Sequence, residues 1–444
     1  MPYVEDGSGP VTPARRSLVG RIAVDVRPLR HRDFRRLFVG QSVSMVGFQL
    51  TAVAVSLQMY DVTGSSLWVG LIGLAVLVPL VVFGLYGGSV SDAVDRRRLL
   101  VASSYVVWFA TGGLLVQALL GRAEPWVLLA LVALQSVGYA FSSPTRGAVI
   151  PRILPLDLVP AANTLSSTAI NLGAVLGPLI AGLVLTQGSY ATAYAIDVAL
   201  FTAGLYAAHR LPPIPPLGTV TRPGLRSVVE GLAFLAHRPV LLMSFAVDII
   251  AMVMALPRAL FPEVAEQRFD GPGAAGWLYA SIAIGAVAGG LLSGWIGHVR
   301  RQGLALVLAV VAWGLAVAAA GLSRSLWLVV ALLAVGGAAD LVSSVYRQTI
   351  LQTYAPDEMR GRMQGVFIVV VAGGPRLGDL RAGIGAVAFG ATGSWVGGGV
   401  ACVVLVLLLA VLSPSLVCYR SDSTRPSTSV AQPHDSVTPA PPWP

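Results

Sequence analysis

The chain has 444 residues, of which 55% are hydrophobic and only 11% are charged. Soluble domains carry about 25% charged residues, so this composition excludes an ordinary soluble protein and predicts a multi-pass membrane protein. The net charge of +9 does not predict a nucleic-acid-binding protein, because the basic residues, all of them arginines, lie in short connections and tails. We expect lipids, and no nucleic acid, around this chain.

Twelve apolar segments then follow in chain order. Each is long enough to form about 20 residues of helix, which is the length that crosses a bilayer. We therefore predict an all-α membrane protein with twelve transmembrane helices. The segments are centred near Val46, Leu77, Phe109, Leu134, Ala174, Leu200, Ala251, Ile284, Val311, Val335, Gly374 and Val406.

The arginines predict how these segments are oriented. Eight arginines precede the first segment, and every second connection after it is also rich in arginine. The intervening connections together hold only Arg122, Arg268 and Arg324. Arginine-rich connections stay in the cytoplasm, so we expect a multi-pass protein of the cell membrane with both termini cytoplasmic.

The longest internal connection, residues 210–238, divides the segments into two groups of six. Its first half is rich in proline, and residues 225–236 have apolar residues at helical spacing, which predicts a helix on the membrane surface. We therefore predict a cytoplasmic tail (1–34), a first six-helix bundle (35–209), a cytoplasmic linker (210–238), a second six-helix bundle (239–419) and a disordered cytoplasmic tail (420–444).

Related sequences recur in the two groups. "GGSVSDAVDRRR" from Gly87 and "GGLLSGWIGHVRR" from Gly289 each follow the second segment of their group. "GPLIAG" from Gly177 and "GPRLGDLRAG" from Gly374 each lie in the fifth segment. A repeat of about 200 residues predicts two pseudo-symmetric bundles, an arrangement found in many secondary transporters.

The first of these sequences resembles the loop motif of the major facilitator superfamily. The resemblance of the chain to this family extends from Arg35 to Tyr419. Ala93 and Asp95 depart from that motif. The resemblance implies a gating contact on the cytoplasmic side, whereas the alternative is a charge cluster that only sets topology. The positions that match are Gly88, Asp92, Arg97 and Arg98.

Two further sequences are similar to those of exporters in this family. "RQTILQTYAPDEMRGRMQGVF", after the tenth segment, resembles a loop of the drug- and siderophore-exporting branch. "GAVLGPLIAG" resembles the exporter motif of span five, where the alternative interpretation is plain close packing of helices. The residues of that motif are Gly173, Gly177, Pro178 and Gly182.

Eight charged residues lie inside predicted spans, where each costs about 2.5–3.5 kcal/mol on insertion and tends to mark a functional site. Two of them are Asp197, for which we prefer a static structural role, and Arg347. In the family, spans one, four, seven and ten line the central cavity, which implies that Asp248 and Asp340 face it. The predicted substrate and proton cavity comprises Asp248, Asp340, Arg258, Arg376, Asp379 and Arg381.

Span eleven contains "GGPRLGDLRAG", residues 373–383. Its glycines and Pro375 predict a helix that bends and approaches its neighbours closely. Arg376 and Asp379 are three residues apart and can pair locally, whereas Arg381 points about 160° away from Asp379. We therefore expect Arg381 to pair with Asp340, Asp248 or an anionic substrate, and a permanent salt bridge is the alternative.

These features predict a secondary-active exporter, driven by proton antiport, of a siderophore-like or amphipathic drug-like molecule. Carboxyl groups would carry the protons, because every histidine lies near a loop or tail. Span four has no arginine before Arg146 at its end, so coupling through an arginine at its centre is not implied. Alternatives are multidrug efflux without a siderophore role, import, or a receptor on the same fold.

The sequence has no catalytic, nucleotide-binding or metal-binding signature. We therefore predict that the protein is not an enzyme and needs no cofactor or metal. Its expected partners are a small-molecule substrate, protons and membrane lipids, and we expect a monomer.

Overall fold

The computed structural model describes residues 25–215, 235, 238–354 and 357–419, and describes only the backbone of residues 85–89, 91–93, 297, 352–354 and 357–369. Residues 1–24 of the predicted N-terminal tail and the whole predicted C-terminal tail lie outside these ranges. Most of the predicted linker also lies outside them, including all but residue 235 of its predicted surface helix. The described residues form helices joined by turns, in agreement with the predicted all-α class.

Eleven stretches of the described chain are long and apolar enough to cross a membrane. The chain is therefore a multi-pass membrane protein. Its long helices are α1 (Arg32–Thr63), α2 (Ser66–Ala93), α3 (Arg96–Leu119), α4 (Pro125–Ile153), α5 (Val159–Gln187), α6 (Tyr190–His209), α7 (Pro239–Ala255), α8 (Pro272–Leu291), α9 (Gln302–Leu322), α10 (Leu326–Tyr354) and α11 (Asp357–Leu412).

Helix α7 ends earlier than the sequence predicts. Leu256 has an extended backbone, and the following Pro257 has no N–H to continue the helix. A single turn, Arg258–Leu260, then leads into a short helix, Phe261–Arg268. Arg258 therefore lies on the turn after α7, within the apolar stretch Pro239–Arg268 that forms the seventh span.

The last and longest helix, α11, bends at Gly390. The apolar stretch Val370–Leu412 has 43 residues, which as a straight helix would extend about 65 Å, twice the hydrocarbon thickness of a bilayer. Gly390 has φ 72° and ψ 164°, a conformation that is nearly restricted to glycine. Residues 373–378 stay helical and approach a neighbour closely, as predicted, since a Cβ on Gly374 would lie 3.0 Å from the Cβ of Met252 on α7.

The helices pack as two sets. In the first set, α1 contacts α5 and α6, α4 contacts α2 and α3, and α3 contacts α6. In the second set, α10 contacts α8 and α9, and α11 contacts α7 and α9. Extensive contacts between α2 and α11 and between α5 and α8 join the sets, and glycines allow the α5–α8 approach, because a Cβ on Gly276 would lie 2.7 Å from the carbonyl oxygen of Pro178.

Tryptophan pairs mark the arginine-poor end of the helices, which we define as the end that holds the α1–α2, α3–α4, α5–α6, α7–α8 and α9–α10 connections. The rings of Trp68 and Trp126 lie 4.8 Å apart, and those of Trp277 and Trp327 lie 5.1 Å apart. Tryptophans concentrate where a membrane meets water, so these pairs indicate one membrane boundary. The opposite end is the arginine-rich end.

Candidate functional site

A cavity of about 430 Å³ lies between the two sets of helices. The first set supplies most of its wall, from α1, α2, α4 and α5. The second set contributes the turn after α7, together with α8 and α11. We call this space the large cavity, and its charged lining residues are Arg258, Arg376 and Asp379.

The first-set wall of the large cavity is aromatic and polar but uncharged. The rings of Phe48 and Tyr139 lie 4.3 Å apart. The amide of Gln135 donates to the Thr111 hydroxyl at 2.7 Å, which fixes its orientation. Our sequence analysis missed these residues, because isolated aromatic, glutamine and serine side chains in a span differ little from ordinary packing residues.

The charged wall is supplied by the second set. Arg258 follows the break in α7, and its carbonyl oxygen accepts a hydrogen bond from the Tyr279 hydroxyl at 3.0 Å. The Asp379 carboxylate is attracted by Arg258 and, more weakly, by Arg376. The two arginines repel each other. Asp379 and Arg376 are nevertheless not within the 4.0 Å of an ion pair, so the close local pairing predicted for them is wrong.

A second, smaller cavity of about 200 Å³ lies within the second set. Asp248 and Asp340 both line it, so the structure brings the two predicted carboxylates together. The buried Asp248 forms an ion pair with Arg347, which also lies 3.8 Å from Asp340. Arg258 lines this small cavity as well as the large one.

Arg381 lies apart from both groups, which corrects its predicted pairing. Its guanidinium donates to three backbone carbonyls, those of Val253 at 3.2 Å, Ser394 at 3.0 Å and Met254. In a continuous helix the N–H of residue 257 would bond the carbonyl of Val253, but Pro257 has no N–H. Arg381 therefore replaces hydrogen bonds that the end of α7 has lost.

Asp197 is buried where α6 packs on α1. Its Oδ2 accepts a hydrogen bond from the Thr51 hydroxyl at 2.6 Å, and its carboxylate lies against Gly47, where a Cβ could not fit. No cation in the described part of the chain forms an ion pair with it. The contact of Asp197 with Thr51 between two helices of one set agrees with the static structural role preferred for it.

The loop motif after α2 is described in part, because the structure describes only the backbone of Gly88 and Asp92. Arg97 donates to the carbonyl of His209 at 2.7 Å, which ties α3 to the end of α6, and Arg98 donates through its backbone N–H. Asp95, which departs from the family motif, accepts from the N–H of Arg98 and from that of Ile214, both at 3.1 Å. It caps α3 and holds the chain that follows α6.

The glycines of the span-five motif let α5 approach two helices. A Cβ on Gly173 would lie 2.8 Å from Met45, and one on Gly177 would lie 2.9 Å from the carbonyl of Val46. Gly182 faces Gly276 on α8 in the same way. Pro178 lines the large cavity. The motif therefore joins α5 to α1 in its own set and to α8 in the other.

A multi-pass helical protein with intramembrane charges around a central cavity has the architecture of a membrane transporter. A family model described as "Transmembrane secretion effector" matches residues 23–438. The chain belongs to this family, MFS_3, and is a membrane transporter of the major facilitator type.

Curated relatives agree with this assignment. The chain is 31% identical over 391 residues to the "Enterobactin exporter EntS" of Shigella boydii serotype 18, an alignment that covers 86% of this chain and 92% of that protein. The protein of the same name from Escherichia coli O139:H28 matches with the same identity and coverage. The family and these relatives are transporters.

Solved structures of low sequence identity share the fold. A mutant of the nucleoside transporter NupG has a TM-score of 0.72 and 13% identity, covering 86% of this chain and all of that one. A D-xylose-proton symporter has a TM-score of 0.67 and 13% identity, covering 85% of this chain and 97% of that one. A bacterial homolog of the lysosomal transporter Spinster has a TM-score of 0.65 and 15% identity, covering 88% and 97%.

Proposed function

We propose that this protein exports a siderophore-like or amphipathic small molecule across the cell membrane by alternating access, with proton antiport as the energy source. The observation that carries the proposal is the large cavity between the two sets of helices, which is where transporters built from repeated halves bind their substrates. Its volume of about 430 Å³ falls within the range of small-molecule sites. The enterobactin exporters among its relatives support a siderophore as the substrate.

The proposal includes twelve membrane spans in two bundles, formed by residues 35–209 and 239–419. The bend at Gly390 supports two spans within α11. The arginine-rich connections support a cytoplasmic location for both termini and for residues 210–238. Alternating access would then open the large cavity first at the arginine-rich end and afterwards at the arginine-poor end.

Asp248 and Asp340 would bind the transported protons. They share the small cavity, where Asp340 has 33% of its side chain exposed, and Arg258 on the border of both cavities gives a physical connection to the substrate site. The loop motif of Gly88, Asp92, Arg97 and Arg98 would close the cytoplasmic end. We propose that the span-five glycines serve as the sliding surface.

Export can be tested in a bacterial host that lacks its own siderophore exporter. Cells that express the protein should retain less of a catecholate siderophore and secrete more of it than cells with the empty vector. Amphipathic dyes, tested in parallel, distinguish siderophore export from broad multidrug efflux. Equal retention of every compound in both strains would contradict export.

Proton coupling can be tested in inside-out vesicles with an acidic interior. Addition of the exported siderophore should dissipate the pH gradient in vesicles with the protein, and Asp340→Asn should remove this effect. Glu124→Gln is the matched control, because Glu124 is exposed in the α3–α4 connection. Transport by Asp340→Asn at the wild-type rate, with unchanged proton movement, would count against Asp340 as a proton carrier.

A further inference from the structure

Charge is distributed unevenly around the large cavity. Its charged lining residues are two cations, Arg258 and Arg376, and one anion, Asp379. Two positive charges and one negative charge leave a net +1, all of it on the wall formed by the second set of helices. The first-set wall contributes no charged side chain to this cavity.

Both guanidinium groups have donors free for a ligand. Neither forms an ion pair or donates a hydrogen bond to any residue that the structure describes, and the Nε of Arg258 is buried without a partner. A guanidinium has five N–H donors and no acceptor. Unpaired charges inside a membrane protein are costly, so an acceptor that enters the cavity would relieve both the repulsion between the arginines and their loss of hydration.

The wall contributed by the first set complements an aromatic group. Phe48 and Tyr139 form a tilted ring pair on α1 and α4 with centroids 4.3 Å apart, and aliphatic side chains of α1 and α2 line the same cavity. Aromatic rings pack well against such pairs. A ligand that fits both walls has an apolar ring at one end and negatively charged oxygens at the other.

We infer that the large cavity binds aromatic acids, with the anionic oxygen group between Arg258 and Arg376 and the ring against Phe48 and Tyr139. Guanidinium groups bind planar oxyanions through paired, charge-assisted hydrogen bonds. Asp379 competes with the ligand for the same two arginines, so a ligand without a negative charge gains little there. This inference deepens the proposed function, because it takes the large cavity as the substrate site and specifies the class of substrate.

The test uses the purified full-length protein in detergent and three probes with the same ring system: 2-naphthoate, 2-naphthamide and 2-naphthylmethylammonium. Equilibrium dialysis measures each dissociation constant. We expect 2-naphthoate to bind at least about tenfold more tightly than the amide, since hydrogen bonds from a guanidinium to a carboxylate are about twice as strong as those to a neutral group. The ammonium probe should bind more weakly than the amide.

Substitutions of the two arginines test whether they cause the preference for the acid over the amide. Arg376→Gln and Arg258→Gln should each lower the affinity for 2-naphthoate to near that for the amide and leave the amide affinity unchanged, and Arg376→Lys should keep part of the preference. Arg324→Gln, at an exposed arginine between α9 and α10, is the matched control. If Arg258→Gln does not fold, the wild-type probe series and Arg376→Gln still decide the question.

Equal binding of the acid and the amide by the wild-type protein, or preference for the ammonium probe, would overturn the inference. The export assay gives an independent result. Normal siderophore export without preference for the acid refutes the anion site alone, whereas preference for the acid without any export refutes the proposed transport function.

Discussion

At the scale of single residues, substitutions in the buried Asp248–Arg347 ion pair can distinguish an effect on stability from an effect on transport. Removing Arg347 leaves the buried Asp248 carboxylate unpaired, which costs about 3–5 kcal/mol. Removing Asp248 leaves Arg347 with its longer contact to Asp340 at 3.8 Å and should cost less, and removing both charges can be nearly neutral. We therefore expect Asp248→Asn and Arg347→Gln each to lower the thermal midpoint of the purified protein. The Asp248→Asn/Arg347→Gln double variant should recover most of that loss.

Transport by the double variant then shows what the pair does. If Asp248 carries protons, the double variant folds but exports nothing against a gradient. If the pair only joins α7 to α10, the double variant exports normally, and Asp340 alone remains as the proton carrier. Size-exclusion profiles taken after stepwise heating measure the midpoint, and Asp33→Asn near the start of α1 is the control for the loss of an exposed carboxylate.

The residues around this pair show what sequence can predict about a site. Asp248 and Asp340 share a cavity, as predicted, but it is the small cavity within the second set. Neither of them lines the large cavity between the sets, which the family resemblance implied they would face. Their partner was not predictable. Helical spacing gives the direction of a side chain on its own helix, but the rotation of each neighbouring helix decides whether Arg347 or Arg381 comes close.

At the scale of helices, Arg381 holds three segments together. It donates to the last turn of α7 and, beyond the bend at Gly390, to the carbonyl of Ser394. The sequence contains the cause, since Pro257 leaves the carbonyl of Val253 without a partner, but sequence alone could not show which donor replaces the missing N–H. The twelve predicted segments, in contrast, depend only on local hydrophobicity, and the described residues contain helices at all twelve predicted centres.

This role predicts a structural phenotype for Arg381. Arg381→Ala leaves buried carbonyls without donors, at about 1–3 kcal/mol for each group, so the protein should lose thermal stability, and Arg381→Lys should recover part of it. Arg122→Ala, in the exposed α3–α4 connection, should have no effect. A fully stable Arg381→Ala protein that binds substrate but fails to export it would instead show that Arg381 takes part in transport.

The contact between α5 and α8 predicts opposite effects of the same substitution at two glycines. A Cβ on Gly276 would lie 2.7 Å from the carbonyl oxygen of Pro178, so Gly276→Ala must push the helices apart, at a cost of about 1–3 kcal/mol. A Cβ on Gly112 would meet open space, and Gly112→Ala should be neutral or stabilising, since alanine favours helix. Thermal midpoints of the two variants test this, and a stabilised Gly276→Ala protein would contradict the close packing.

At the scale of the whole molecule, several contacts join the two sets at the arginine-poor end. The short helix Phe261–Arg268 supplies two of them: Glu263 accepts a hydrogen bond from the Ser66 hydroxyl at the start of α2, and Gln267 donates to the Tyr60 hydroxyl at 3.3 Å. Two glycine contacts, between α5 and α8 and between α2 and α11, lie near the same end. In alternating access these contacts must break when substrate leaves, so weakening one of them should shift the population towards the state that is open at this end.

The prediction can be tested by replacing Glu263, with its neighbour as the control. A single reporter cysteine at Ala52, which lines the large cavity, is introduced after both native cysteines are changed to serine.

In whole cells, a membrane-impermeant thiol reagent should label this cysteine slowly in the parent protein and several-fold faster with Glu263→Ala. Glu266→Ala removes an exposed carboxylate from the same short helix without removing a hydrogen bond between the described parts of the two sets, so it should label at the parent rate. Inside-out vesicles should show the reverse order, because a protein that is more often open at the arginine-poor end is less often open at the other. Equal labelling of the Glu263 and Glu266 variants from both sides would mean that the short helix does not control access, and that the glycine contacts alone keep this end closed.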